Sequence, residues 1–185
     1  MGVLETDRLL LEPWADKHKN DFATLATDPD VVRYVGRGKP WSRDRVEEVF
    51  VWQSAHWREH GFGWRAAIQT ESGLFIGFVG LNFLRPEATE TDDHNQVEIG
   101  WWIRPQFWNQ GFATEGAIAL RDEAFERVGL DRIIGRYQSK NVASGRIMEK
   151  LGMRFERDAV SYGRQVRIYT LSREEWRARR SASRT

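Results

Sequence analysis

The run Val97-Glu98-Ile99-Gly100-Trp101-Trp102-Ile103 passes through Pro105 into Trp108-Asn109-Gln110-Gly111-Phe112-Ala113-Thr114-Glu115, and from there into the most regular helical pattern of the chain. A β-patterned segment that feeds a short loop of small residues and then a helix leaves few architectures open. It needs a sheet to receive the strand and a helix lying back across it. It also aims several free backbone N–H groups, and the positive end of a helix dipole, at one spot suited to a pyrophosphate. Gly111 and Ala113 let such an anion approach the backbone closely, and Gly111 suits angles that other residues resist. The segment is neither a Walker loop, which needs Gly-Lys-Ser/Thr, nor a dinucleotide fingerprint, which needs three glycines in register. Without a ligand, the same pattern describes a tight strand-to-helix turn.

Around this segment, Leu9-Leu10-Leu11 before Pro13 predicts a first strand. Asp16 to Ala26 places Phe22, Leu25 and Ala26 at helical spacing and closes at Asp28-Pro29. Ser42 opens a helix in which Val46, Val49, Phe50, Gln53 and Trp57 approximate a 3.6 period, and Gly61 stops it. Trp64 to Ile68 and Leu74 to Leu84 read as strands joined by a turn at Glu71-Ser72-Gly73. Gln96 to Ile103 is a further strand, Thr114 to Val128 a helix stopped by Gly129, and Arg132 to Tyr137 a strand. Asn141 to Leu151 is a helix ended by Gly152, and Phe155 to Tyr162 with Val166 to Leu171 forms a final hairpin. This order predicts a mixed α/β (α+β) domain over residues 1–176, with a basic, frayed tail over 177–185. Pro86 to Asn95, carrying Glu87, Glu90, Asp92 and Asp93, reads as a solvated connection or as a lid facing an acceptor.

Charge and composition exclude several functions. The 28 Lys and Arg against 27 Asp and Glu leave no broad positive field, which argues against nucleic acid as a partner despite the Arg-rich tail. With no cysteine there is neither a disulfide nor a thiolate metal site. His56 and His60 are four apart, but Trp57 stands where a zinc-protease motif needs Glu, so no metal is expected. No apolar stretch reaches the ~18 residues of a membrane span, and the charged N-terminus does not read as a signal peptide, so a cytoplasmic location is expected.

Five segments together resemble the GNAT acetyltransferases, and more narrowly the branch that includes the ribosomal-protein N-terminal acetyltransferases. They are Glu5-Thr6-Asp7-Arg8-Leu9-Leu10-Leu11, Ile76-Gly77-Phe78-Val79-Gly80-Leu81, Glu98-Ile99-Gly100, the Trp108 to Glu115 turn, and Asn141-Val142-Ala143-Ser144 leading to Met148-Glu149-Lys150-Leu151-Gly152-Met153. The resemblance spans residues 4–176. It implies a mostly antiparallel, twisted sheet flanked by helices and splayed at an acyl-CoA site, with acetyl-CoA as co-substrate and no metal. It further implies that backbone groups of Trp101 and Ile103 pair with the pantetheine arm and that Asn109, Gln110, Gly111, Phe112, Ala113 and Thr114 hold the pyrophosphate. Asn141 would hydrogen-bond the pantetheine, and Ser144, one turn further along the helix, would sit near the sulfur. Three positions depart from the family pattern, the first being Trp108 in the place of Gln or Arg, which is common in this branch. Asn109 stands where many relatives carry Gly, a place where Asn tolerates left-handed angles. Met148 stands seven residues after Asn141, where many members carry a tyrosine acid.

Acyl transfer to an amine requires removal of a proton from the ammonium form. Glu98 is the candidate base, since its sequence neighbours Val97, Ile99 and Trp101 are apolar and such surroundings favour the protonated carboxyl. Its other reading is a solvent-facing carboxylate or an arginine's partner. Ser144 is the candidate donor to the departing sulfur, or else a hydroxyl bonded to its own helix. A backbone N–H between Trp101 and Ile103 would stabilise the developing oxyanion. Arg146 and Lys150 either meet CoA phosphates or form a solvated helix face. Most of the nine tryptophans read as core or subunit-interface residues, with Trp41 and Trp57 as an alternative acceptor wall. The function expected is acetyl transfer to a primary amine, either a protein N-terminus or a small molecule. The alternative is a catalytically idle acyl-CoA-binding domain. The acidic stretch mildly favours a cationic acceptor, and a homodimer fits the tryptophan content.

Overall fold

The computed structural model describes residues 2–85 and 95–182; the acidic stretch 86–94 lies outside the described residues. Eight strands form one sheet: β1 (Leu4–Glu5), β2 (Leu9–Pro13), β3 (Trp64–Gln69), β4 (Phe75–Phe83), β5 (Val97–Ile103), β6 (Arg132–Gln138), β7 (Arg154–Ser161) and β8 (Arg164–Ser172). The order is β1-β2-β3-β4-β5-β6-β8-β7, and every neighbouring pair is antiparallel except β5 and β6. The parallel pair is the one whose strands are joined by a crossover helix, as parallel neighbours require. The expected mixed α/β, mostly antiparallel architecture is the one observed.

Helices α1 (Lys19–Thr27), α2 (Pro29–Val32) and α3 (Arg43–His60) cover one face, while α4 (Phe112–Glu123), α5 (Val142–Lys150) and α6 (Arg173–Ala182) cover the other. Their ends follow local chemistry. Ser42 Oγ accepts the Arg45 N–H at 3.2 Å and starts α3, and the Asp28 carboxylate accepts the N–H groups of Asp30 and Val31 to start α2. Along α3 the buried side is Val46, Val49, Phe50, Gln53 and His56. Trp57, expected on that side, sits at its edge and donates its indole N–H to the Trp64 carbonyl at 2.5 Å.

Two cores result from the strand alternation. Leu9, Leu11, Val79, Leu81, Val97 and Ile99 pack against α4 through Ala117 and Leu120, and each such buried side chain contributes about 1.5–3 kcal/mol. On the opposite face Trp14, Trp64 and Phe78 meet Phe22 of α1 and Phe50 of α3 in an aromatic cluster, with Trp64 stacked on Phe78 at 4.0 Å. This cluster absorbs much of the tryptophan content.

Two segments depart from expectation. The helix expected over Thr114 to Val128 starts at Phe112 and changes at Ala124 into one wide, π-helical turn ending at Val128. The tail expected to fray from residue 177 continues α6 to Ala182. Trp176 anchors it, 6% exposed and donating its indole N–H to Asp122 at 2.8 Å, so buried surface overrides a charged sequence.

Candidate active site

The ladder between β5 and β6 consists of one register pair, Glu98 with Ile134. Beyond it the two strands diverge, which is the expected splay. Leu84 N–H donates to Gln96 O and Arg104 N–H to Ile76 O, at 3.0 and 2.8 Å. The alternation of an antiparallel ladder then turns the even-numbered residues of β5 toward β4, and directs the backbone groups of Trp101 and Ile103 into the gap. One of these groups has a partner already: the Ile103 carbonyl accepts the Trp108 indole N–H at 2.6 Å.

The gap opens onto the start of α4. Gly111 takes φ +87° and Asn109 φ +59°, so both lie in the left-handed region, and the second is the tolerance expected of asparagine. The first N–H closing a turn of α4 is that of Glu115, to Gly111 O at 3.0 Å, so the N–H groups of Phe112, Ala113 and Thr114 have no partner inside the helix. Arg8, from the β1–β2 connection, buttresses this loop. Its Nη1 donates to Gln110 O at 2.9 Å, its guanidinium lies 4.5 Å over the Phe112 ring, and its Nε donates to Glu115 at 2.8 Å. Thr6 Oγ1 donates to the same carboxylate at 2.6 Å. Burial pushes the Glu115 carboxyl up, but the hydrogen bonds from Thr6 and from the backbone and side chain of Arg8 outweigh it and hold it below the usual range. Nothing in the local pattern assigned Arg8 to the loop; its signal was the Glu5 to Leu11 segment, whose role had no chemical reading.

All of the expected site residues, Glu98, Trp101, Ile103, Asn109 to Thr114, Asn141 and Ser144, line one open cleft of about 1580 Å³ that runs through the gap from one face of the sheet to the other. Asn141 caps α5, its Oδ1 accepting the Ser144 N–H at 3.3 Å. The Ser144 hydroxyl makes no hydrogen bond among the described residues, so its own helix does not engage it. Arg146 and Lys150 line the same cleft. Met148 is 2% exposed and packs over Gly135 of β6, where it offers no proton.

Glu98 differs from expectation in its surroundings. Strand alternation sends Val97 and Ile99 to the α4 side, and Glu98 shares the other side with Gly100 and Trp102. There its two oxygens accept hydrogen bonds from Arg136, Nε to Oε1 at 2.9 Å and Nη2 to Oε2 at 2.8 Å. Burial works against the Arg136 charge, but Glu98 raises its proton affinity above the ordinary arginine value. The arginine-partner reading of Glu98 is therefore the geometry found, inside the cleft and not on the surface. Arg136 also donates to Ser161 Oγ at 3.1 Å, and Tyr162, at the turn of the β7–β8 hairpin with φ +50°, joins the lining. Trp41 lines the cleft, while Trp57 packs on Gly63 away from it. His56 and His60 lie in aromatic packing, and among the described residues no three His, Asp or Glu side chains gather as a metal site would need.

Residues 8–154 match the family model of the acetyltransferase (GNAT) domain. The chain is 30% identical over 188 residues to the FsC-acetyl coenzyme A-N(2)-transacetylase of Aspergillus fumigatus, covering 94% of this chain and 77% of that one. It is 36% identical over 179 residues to the uncharacterized N-acetyltransferase YnaD of Bacillus subtilis, covering 94% and 98%. Among solved structures, RimL, the ribosomal L7/L12 alpha-N-protein acetyltransferase in complex with coenzyme A, shares the fold with a TM-score of 0.74 at 14% identity, covering 92% and 97%. No helix among the described residues is long and apolar enough to cross a membrane. The chain belongs to the GNAT acetyltransferases and is an acetyl-CoA-dependent acetyltransferase.

Proposed function

We propose that the protein transfers the acetyl group of acetyl-CoA to the nitrogen of a primary amine, and that the cleft between β5 and β6 is where the two meet. The observation that carries the reading is the single β5–β6 register pair, which leaves strand groups free beside a helix start whose N–H groups are also free. The relative named as an N(2)-transacetylase supports a nitrogen acceptor.

The donor set fits acetyl-CoA. The N–H groups of Phe112, Ala113 and Thr114 and the start of α4 would hold its pyrophosphate, and Arg146 and Lys150 add positive charge on the α5 rim. Asn141 and the backbone of Trp101 flank the gap. When bound, the co-substrate supplies a thioester, an acyl group already activated toward an amine. The chain's own contributions are three. The Trp101 and Ile103 backbone groups that face the gap include N–H donors for the carbonyl oxygen as it gains charge, worth on the order of 3 kcal/mol of barrier. Ser144 donates to the departing sulfur. Glu98 takes the ammonium proton: Arg136 occupies two of a carboxylate's roughly four lone-pair sites, which leaves acceptor capacity on the cleft side.

The idle acyl-CoA-binding alternative gives way to a family and relatives named as acetyltransferases. The reading is tested by calorimetric binding of acetyl-CoA, followed by thiol release with an amine panel, on the wild type and on Gly111→Glu. Saturable binding lost in the variant, with steady thiol release by the wild type, supports it. Binding without release to any amine, or no binding at millimolar ligand, overturns it.

A further inference from the structure

On the α1–α3 side of the sheet, the side that carries Glu98, the cleft ends beneath the loop of residues 33–41, and an amine bound for Glu98 enters at this end. The loop is built in place. Gln138 Nε2 donates to Tyr34 O at 3.1 Å, and Arg164 Nη1 donates to Arg33 O at 3.1 Å and to Gln138 Oε1 at 3.0 Å. Gly38, at φ +71°, lets the Arg164 guanidinium pass so close that a Cβ there would stand 2.6 Å from two of its nitrogens. Backbone bonds from Gly38 N–H to Val35 O at 2.7 Å and from Trp41 N–H to Ala26 O at 3.1 Å fix the rest of the loop.

Among the described residues the charges at this end do not balance. Asp30 pairs with Arg33, Glu98 with Arg136, and Glu48 takes both Arg45 and Arg85. Arg37 and Lys39 also line the cleft, and neither makes an ion pair or hydrogen bond among the described residues. The acceptor end thus presents two unpaired cations on a clamped loop, and its lining carboxylates are already taken. A simple cationic amine entering here meets like charge, whereas an amine that carries its own anion gains charge-assisted hydrogen bonds from both side chains.

We propose that the acceptor is a small amine bearing a carboxylate or phosphate group, and that Arg37 and Lys39 dock that anion while the amine reaches Glu98 across Gly100. Above Gly100 no atom lies within 4 Å of where a Cβ would stand, so the passage is open. The proposal rests on the acetyl-transfer reading and names its substrate class, opposite in sign to the cationic acceptor suggested by the acidic stretch.

The test compares thiol release from acetyl-CoA with matched acceptors: phosphoethanolamine against ethanolamine, β-alanine against its amide, and spermidine. The expected result is a kcat/KM about tenfold higher for at least one anionic member than for its neutral partner. Preference confined to the phosphate pair, or to the carboxylate pair, identifies the group. In Arg37→Gln/Lys39→Gln that preference disappears through KM, and acetyl-CoA affinity measured by calorimetry stays at the wild-type value. Preference for spermidine or for the neutral partners, persistence of the preference in the double variant, or turnover of none of the anionic amines by a protein that binds acetyl-CoA overturns the proposal and leaves the transferase reading standing. Failure to bind acetyl-CoA at all overturns both.

Discussion

Arg136 grips both carboxylate oxygens of Glu98 beside the one register pair by which β5 and β6 form a ladder. The geometry is the bidentate fork that guanidinium favours, and the two side chains are 13% and 20% exposed, so the pair is neither a surface ornament nor fully dry. It ties the candidate base to the frame of the site.

Glu98→Gln therefore acts twice. It removes the proton acceptor, with kcat falling about 100-fold or more. It also leaves a largely buried arginine charge without its counter-ion, at about 3 kcal/mol of stability. Steady-state kinetics beside thermal unfolding separates the two losses. A stable variant with undiminished kcat would assign Glu98 to structure alone.

Gly111→Ala places a side chain at φ +87°, where the left-handed conformation costs about 1–2 kcal/mol, and sets a Cβ 3.2 Å from Arg8 Nη2. Acetyl-CoA affinity should fall while kcat at saturation changes little. Titration calorimetry reads the first quantity and thiol release the second; an unchanged affinity would separate the loop from the co-substrate.

Glu115 gives a pH signature. Its carboxyl is held below the usual 4.5 by Thr6 and Arg8 in spite of burial, so the unfolded chain binds its proton first as acid is added. The stabilisation is complete above about pH 5 and drains away as pH falls through 4.5 toward the folded value. Thermal unfolding of the wild type and Glu115→Gln across this range should show a gap that is constant at neutral pH and narrows in acid.

His56 titrates in the same sense at higher pH. Burial drives its imidazole down to about 4, more than the hydrogen bond to the Phe62 carbonyl restores. Nδ1 faces Phe62 O at 2.9 Å and Nε2 accepts the Phe83 N–H at 3.3 Å, so the ring is neutral with its proton on Nδ1. Stability is full above pH 6.5 and declines toward pH 4, by about 3 kcal/mol in all. His56→Gln should flatten that limb of a stability-against-pH curve, and an unchanged slope would place the effect elsewhere.

Local chemistry was readable in the sequence, and contacts across the fold were not. Ser42, Gly61 and Asn141 marked helix ends because a cap acts on residues three or four away. Asn109 and Gly111 announced left-handed backbone for the same reason. Glu98 was placed among its sequence neighbours, yet a strand sends adjacent side chains to opposite faces, and its true partner lies 38 residues further on. Arg8 is more than 100 residues from the loop it supports, and no spacing rule reaches that far. The helix that runs into the tail was not legible, because the tail's charge is visible in sequence and the contacts that anchor Trp176 are not.

The single rung between β5 and β6 divides the sheet into a half of five strands and a half of three, which share one core and the Glu98–Arg136 pair but no backbone ladder beyond that rung. Backbone continuity across the seam is therefore the weakest part of the sheet. A ligand lying in the seam touches both halves, and at a concentration a hundredfold above its Kd it adds about 2.7 kcal/mol to the native state. The thermal transition should then sharpen as well as rise with acetyl-CoA, because the ligand supplies the cross-strand continuity that the missing rungs would have given.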